Sequence, residues 1–160
     1  MRRPTRLAVG LAASALVVSA AIAVATAFPG SATPAIGATT IPLARGTIGS
    51  SIAIPFRGGT DVVVVENTFD PGGSSGWHSH PGGAIVVVQQ GQITLYKAVG
   101  ATCDVHTYTA GQAFFERPTE KQNAVNKGTT KVVVYVTFPS VPASGPARDD
   151  QPDPGVCPGV

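Results

Sequence analysis

Short β-type runs punctuated by turn residues constrain this chain more than any other feature. Eight occur, at Thr47–Ile54, Val62–Thr68, Ile85–Gln89, Gln92–Lys97, His106–Thr109, Gln112–Glu116, Asn123–Asn126 and Lys131–Phe138. Between them lie Arg57-Gly58-Gly59, Asp70-Pro71-Gly72-Gly73, Pro81-Gly82-Gly83, Gln90-Gly91, Ala110-Gly111 and Asn126-Lys127-Gly128, residue types that enter tight turns at little cost. No apolar period of helical length interrupts the series, so a helical bundle is excluded and the spacing predicts an antiparallel sandwich or barrel. Val62–Val65, Ile85–Val88 and Val132–Val136 are continuous apolar runs rather than alternations, which predicts strands covered on both faces.

The chain has 160 residues, one domain's worth, with 11 Lys and Arg against 9 Asp and Glu. A formal charge of +2 without a basic cluster in the domain excludes a nucleic-acid surface. The surplus lies in Arg2, Arg3 and Arg6, ahead of the uncharged stretch from Leu7 to Phe28. With Ala25-Thr26-Ala27 near its end, this reads as a signal peptide over residues 1–27. The stretch is also long enough to remain as an uncleaved membrane anchor, and Arg2-Arg3 leaves open whether export uses the twin-arginine route. Either way the domain is expected outside the cytoplasm: periplasmic, in the cell envelope or secreted.

Beyond residue 27, eight Lys and Arg face nine acids, a net charge of −1. Residues 28–45 are small, Pro-containing and aperiodic, and read as a flexible linker to a barrel over 46–138. Residues 139–160 hold six Pro and three Gly, a composition that argues against a helix or inner strand and reads as a tail. Cys103 and Cys157 are the only cysteines. In an oxidising compartment they are expected to form a structural disulfide that ties the tail back.

Trp77-His78-Ser79-His80 concentrates the chemistry. Two histidines at i and i+2 on an extended segment project to one side, as a transition metal requires of imidazole ligands. The frame adds weight. Gly72, His78-x-His80, Ala84 and Gly91 follow the spacing of the first cupin motif, and Gly111 and Asn126 fall where the second places its first Gly and final Asn. Over roughly Asp61 to Phe138 the chain resembles the cupin superfamily, small antiparallel β-barrels of jelly-roll type. The resemblance implies an all-β fold with a pocket for a small molecule or one divalent metal ion (Zn, Fe, Mn, Ni or Cu), and a homodimer as a common assembly.

The chain departs from the motif at two of four metal ligands. The usual Glu position holds Ala84, and the second-motif His position holds Gln122. The predicted ligand set is therefore His78, His80 and Gln122, with Trp77 and Ala84 as pocket positions. Trp77 reads first as core. A replacement carboxylate could come from Glu120, two residues before Gln122, from Glu116 at a strand end, or from Glu66. Each reads first as a solvated surface acid, and His106 as an exposed strand residue. No nucleophile elbow, P-loop or dinucleotide fingerprint is present. The expected function is ligand or weak metal binding in the barrel; the alternatives are a metal-dependent cupin enzyme of dioxygenase or isomerase type and a non-catalytic envelope domain.

Overall fold

The structure, a computed structural model, describes residues 42–49, 51–54 and 56–160. The expected signal segment and most of the expected linker lie outside them. The described chain forms ten strands and no helix: β1 Thr47–Ile48, β2 Thr60–Phe69, β3 His78–Ser79, β4 Ala84–Gln90, β5 Gln92–Val99, β6 Thr102–Thr109, β7 Gln112–Glu116, β8 Lys121–Val125, β9 Val132–Pro142 and β10 Asp149–Asp150. They build two five-stranded sheets, ordered β1-β7-β4-β9-β2 and β10-β3-β8-β5-β6. Every pairing is antiparallel except β1 with β7. This is the largely antiparallel all-β arrangement that the runs and turns predict, of the jelly-roll type that the cupin resemblance implies.

Alternation within each strand divides the side chains. Val86, Val88, Ile93, Leu95, Phe114 and Val136 point between the sheets and form the main core with their neighbours. On the outside of the second sheet, Trp77, Tyr96 and Cys157 form a smaller cluster. The expectation that the valine runs are covered on both faces fails for β2. Val62 and Val64 are 59% and 61% exposed, because β2 is an edge strand whose outer face nothing among the described residues covers.

The second-motif Asn is a turn clamp. Asn126 is fully buried and donates through Nδ2 to the carbonyls of Phe69, Asp70 and Thr130, while its Oδ1 accepts the Gly128 N–H. It thereby ties the turn after β2 to the turn after β8.

The tail differs most from expectation. β9 continues through Pro139 to Pro142, paired with β2 beyond the point where its pairing with β4 stops at Thr137. The prolines fall where the strand has lost one neighbour, and a bulge between Asp61 and Val63 adjusts the register. Farther on, β10 adds to the edge of β3, with Asp149 opposite Ser79 and Asp150 opposite His78. The Gln151 N–H donates to the Trp77 carbonyl at 2.9 Å. Cys157 is bonded to Cys103 on β6, as expected, with Cα atoms 5.1 Å apart. The tail is thus a strap laid along the histidine-bearing strand.

Gly83 shows why the turn before β4 needs glycine. Its φ is +77°, and a Cβ there would meet the Glu116 carbonyl oxygen at 2.6 Å and Phe115 Cζ at 3.0 Å. Gly83→Ala should therefore cost at least ~2 kcal/mol, measured by chemical denaturation, from backbone strain and the close approach to β7 together. An unchanged midpoint would show that this turn relaxes freely.

Candidate metal centre

His78 and His80 lie on and just after β3, the short strand that follows Trp77, and each is 4% exposed. Their rings meet edge-on with centroids 4.8 Å apart, so the i, i+2 spacing brings both imidazoles to one place. Trp77 faces the opposite way. Its indole packs with Tyr96 and Cys157 outside the sheet and does not line the cavity, which corrects its reading as a pocket residue and agrees with its reading as core.

Each histidine has one nitrogen already committed. His78 Nδ1 lies 2.8 Å from the Gly76 carbonyl and His80 Nδ1 2.7 Å from the Ala147 carbonyl. A carbonyl can only accept, so both Nδ1 atoms carry the proton and donate. This leaves both Nε2 atoms as the electron-pair donors. The arrangement is the outer-shell pattern that orients histidines on metals. Burial lowers the pKa of His78 below the ordinary 6.5, against opposing contributions from the Gly76 carbonyl and the Glu116 charge. Burial thus favours the neutral imidazole that a metal ligand must be.

The carboxylate comes from Glu116. It was expected on the surface, yet it is 4% exposed, and its Oε2 lies 3.1 Å from His80 Nε2. The cause is register: β4 pairs with β7 so that Glu116 stands directly opposite Ala84. The carboxylate missing from position 84 is restored from across the ladder. Two electron-pair donors 3.1 Å apart repel unless a proton or a cation lies between them. Donor atoms of His78, His80 and Glu116 all lie within 4.8 Å of one another. Twice a metal–nitrogen distance of ~2.1 Å is ~4.2 Å, so small side-chain rotations bring the three onto one ion.

Gln122 strengthens the fit. It is fully buried on β8, in register with His78, and neither its Oε1 nor its Nε2 has a hydrogen-bond partner among the described residues. An orphaned buried amide is costly, and a cation nearby would give its oxygen a use. Gln122→Leu should raise the melting temperature of chelator-treated protein, removing a penalty of about 1–3 kcal/mol, and should weaken zinc binding in a titration. A lower melting temperature in chelator would count against an orphaned amide.

The other candidates stand apart. Glu120 pairs with Lys97 at 3.6 Å, Glu66 is exposed on β2, and His106 is exposed and pairs with Asp104 at 3.0 Å. Beside the three donors a cavity of about 330 Å³ opens between the sheets, with apolar walls that include Val86, Phe114 and Phe138. Ala84 and Gln122 are not in its wall, whereas Ala147 and Arg148 of the strap are. Sequence reasoning raised Glu116 only as one of three substitute carboxylates and read the tail only as tied back by Cys157; it did not reach the placement of Glu116 opposite Ala84 or of Ala147 and Arg148 in the cavity wall. Register across a ladder is not written in linear spacing, and a Pro-rich tail carries no period.

Residues 65–138 match the family described as Cupin domain. Those residues form a cupin domain. Solved structures agree at the level of fold. A structure of oxalate oxidase is 22% identical with a TM-score of 0.50, covering 56% of this chain and 45% of that one. A structure of Bacillus subtilis oxalate decarboxylase, studied for its Mn(II) centres, is 17% identical with a TM-score of 0.50, covering 57% and 24%. The chain therefore spans less than half the length of either enzyme. No curated protein sequence matches it.

Proposed function

We propose that this chain is an exported protein that holds one divalent transition metal through His78, His80 and Glu116, with Gln122 beside them, and offers it to a small molecule in the barrel. One observation carries the reading: two buried histidines, each with Nδ1 held by a carbonyl, lie with a buried carboxylate so that one donor atom of each of the three falls within 4.8 Å of the others, His80 Nε2 being 3.1 Å from Glu116. Two imidazoles and a carboxylate suit Fe, Mn, Zn, Ni or Cu, and such a set leaves coordination positions for a ligand. Both cysteines are in the disulfide, so thiolate ligands do not compete. Export is supported by the N-terminal charge and hydropathy pattern and by an oxidised cysteine pair.

A second reading, a metal-dependent enzyme, is favoured by the cavity that opens directly on the three donors. A metal there would act as a Lewis acid on a bound oxygen of the substrate or would activate dioxygen. The protein's residues would orient the ion, keep bulk water from it and hold the ligand.

The test uses residues 28–160, produced in an oxidising compartment without a polyhistidine tag, with bound metal measured by mass spectrometry. One ion per chain is expected, lost in the His78→Ala/His80→Ala double variant. Absence of bound metal after incubation with each of the five ions would refute the reading and leave an envelope-interaction role.

A further inference from the structure

We infer that the cavity takes a small monocarboxylate with an apolar body, its carboxylate directed to the metal end of the barrel and to Arg148 of the strap. The inference rests on the metal reading above. The cavity is asymmetric: Val86, Ile93, Phe114 and Val136 make an apolar wall, whereas His78, His80, Glu116 and Arg148 bring the charge-bearing groups. Among the described residues, Arg148 is the only Lys or Arg that lines it. The guanidinium is positioned, since its Nε donates to Asp150 Oδ1 at 2.7 Å, which leaves both terminal nitrogens as donors. Its backbone is fixed on either side, by the Ala147 carbonyl on His80 and by the pairing of Asp150 with His78.

Charge balance supplies the sign of the ligand. A divalent ion with Glu116 leaves one uncompensated positive charge among groups that are 4% exposed. Arg148 and Asp150 are ion-paired at 2.7 Å and carry no net charge between them, so they leave that balance unchanged. An uncompensated buried charge is expensive, and one anion with no further charge removes it. A dianion would restore an imbalance of the opposite sign. Size follows from the volume. A cavity of ~150 Å³ is enough for a benzene ring, so about 330 Å³ leaves ample room for a benzoate-sized ligand.

The experiment titrates benzoate and benzamide, which share a shape and differ in charge, into zinc-loaded protein by calorimetry, with zinc content measured separately beforehand. Benzoate is expected to bind at least ten-fold more tightly than benzamide. Arg148→Gln should erase most of that preference, and Arg148→Lys should retain part of it, with thermal melts confirming that both variants fold. Equal affinities for the two compounds, or a preference unaffected in Arg148→Gln, would overturn the carboxylate inference while leaving the metal reading intact. Zinc content near zero would instead remove the metal reading, and this inference with it.

Discussion

Glu116→Ala should weaken zinc binding by more than 100-fold, and Ala84→Glu placed in that background should recover a measurable part. The first effect exceeds the ~10–100-fold that loss of an outer-shell partner usually costs, because Glu116 is itself one of three donors. The second follows from register. Positions 84 and 116 face each other across the ladder, Ala84 is fully buried, and its side chain points between the sheets. A carboxylate on either strand can therefore reach the same two histidines. Competition titration with a chromophoric chelator measures both variants, and a chelator-treated melt checks that they fold. Full zinc affinity in Glu116→Ala would remove Glu116 from the ligand set. No recovery in the double variant, if it folds, would show that the two positions are not interchangeable.

Loss of the disulfide should have the largest effect on stability. Cys103 and Cys157 are separated by 54 positions, and closing a loop of that length restricts the unfolded chain by about 4 kcal/mol in the chain-entropy model. For a domain of this size a Cys103→Ser/Cys157→Ser variant should melt about 10–20 °C lower. Metal affinity should fall in the same variant, by about 10–100-fold, because the strap that the disulfide anchors also carries the Ala147 carbonyl that orients His80. Calorimetry and zinc titration read the two effects separately. A lower melting temperature with unchanged zinc affinity would mean that β10 pairing alone keeps the strap in place.

Much of the barrel was legible because it is written locally. β-branched runs between Gly- and Pro-containing turns recover β2 and β4 to β9 to within a few residues, and His78-x-His80 states its geometry in its own spacing. β3 and β10 are two residues each, too short to show a period, and exist because they pair with neighbours already in place. Glu116 ends a strand before Arg117-Pro118, where an acid ordinarily meets solvent. Only the alignment of β7 with β4 turns it inward. Gln122 was named from its motif position and is buried beside His78, but nothing in its spacing reveals that its amide has no partner. The covered-strand reading failed for β2 because a valine run records a preference for extended backbone as much as burial.

The strap also sets an order of events. Ala147, Arg148 and Cys157 all belong to the last fourteen residues, whereas the histidines they serve lie near the middle of the chain. A ribosome or translocase delivers His78 and His80 long before it delivers what orients and encloses them. Assembly of the centre is therefore a late step, complete only when residues 147–157 have followed the barrel strands and the cysteines have met an oxidant. A chain ending at residue 146 would keep β1 to β9 and all three donors, yet would lack the Ala147 carbonyl, Arg148 and the disulfide that latch the site.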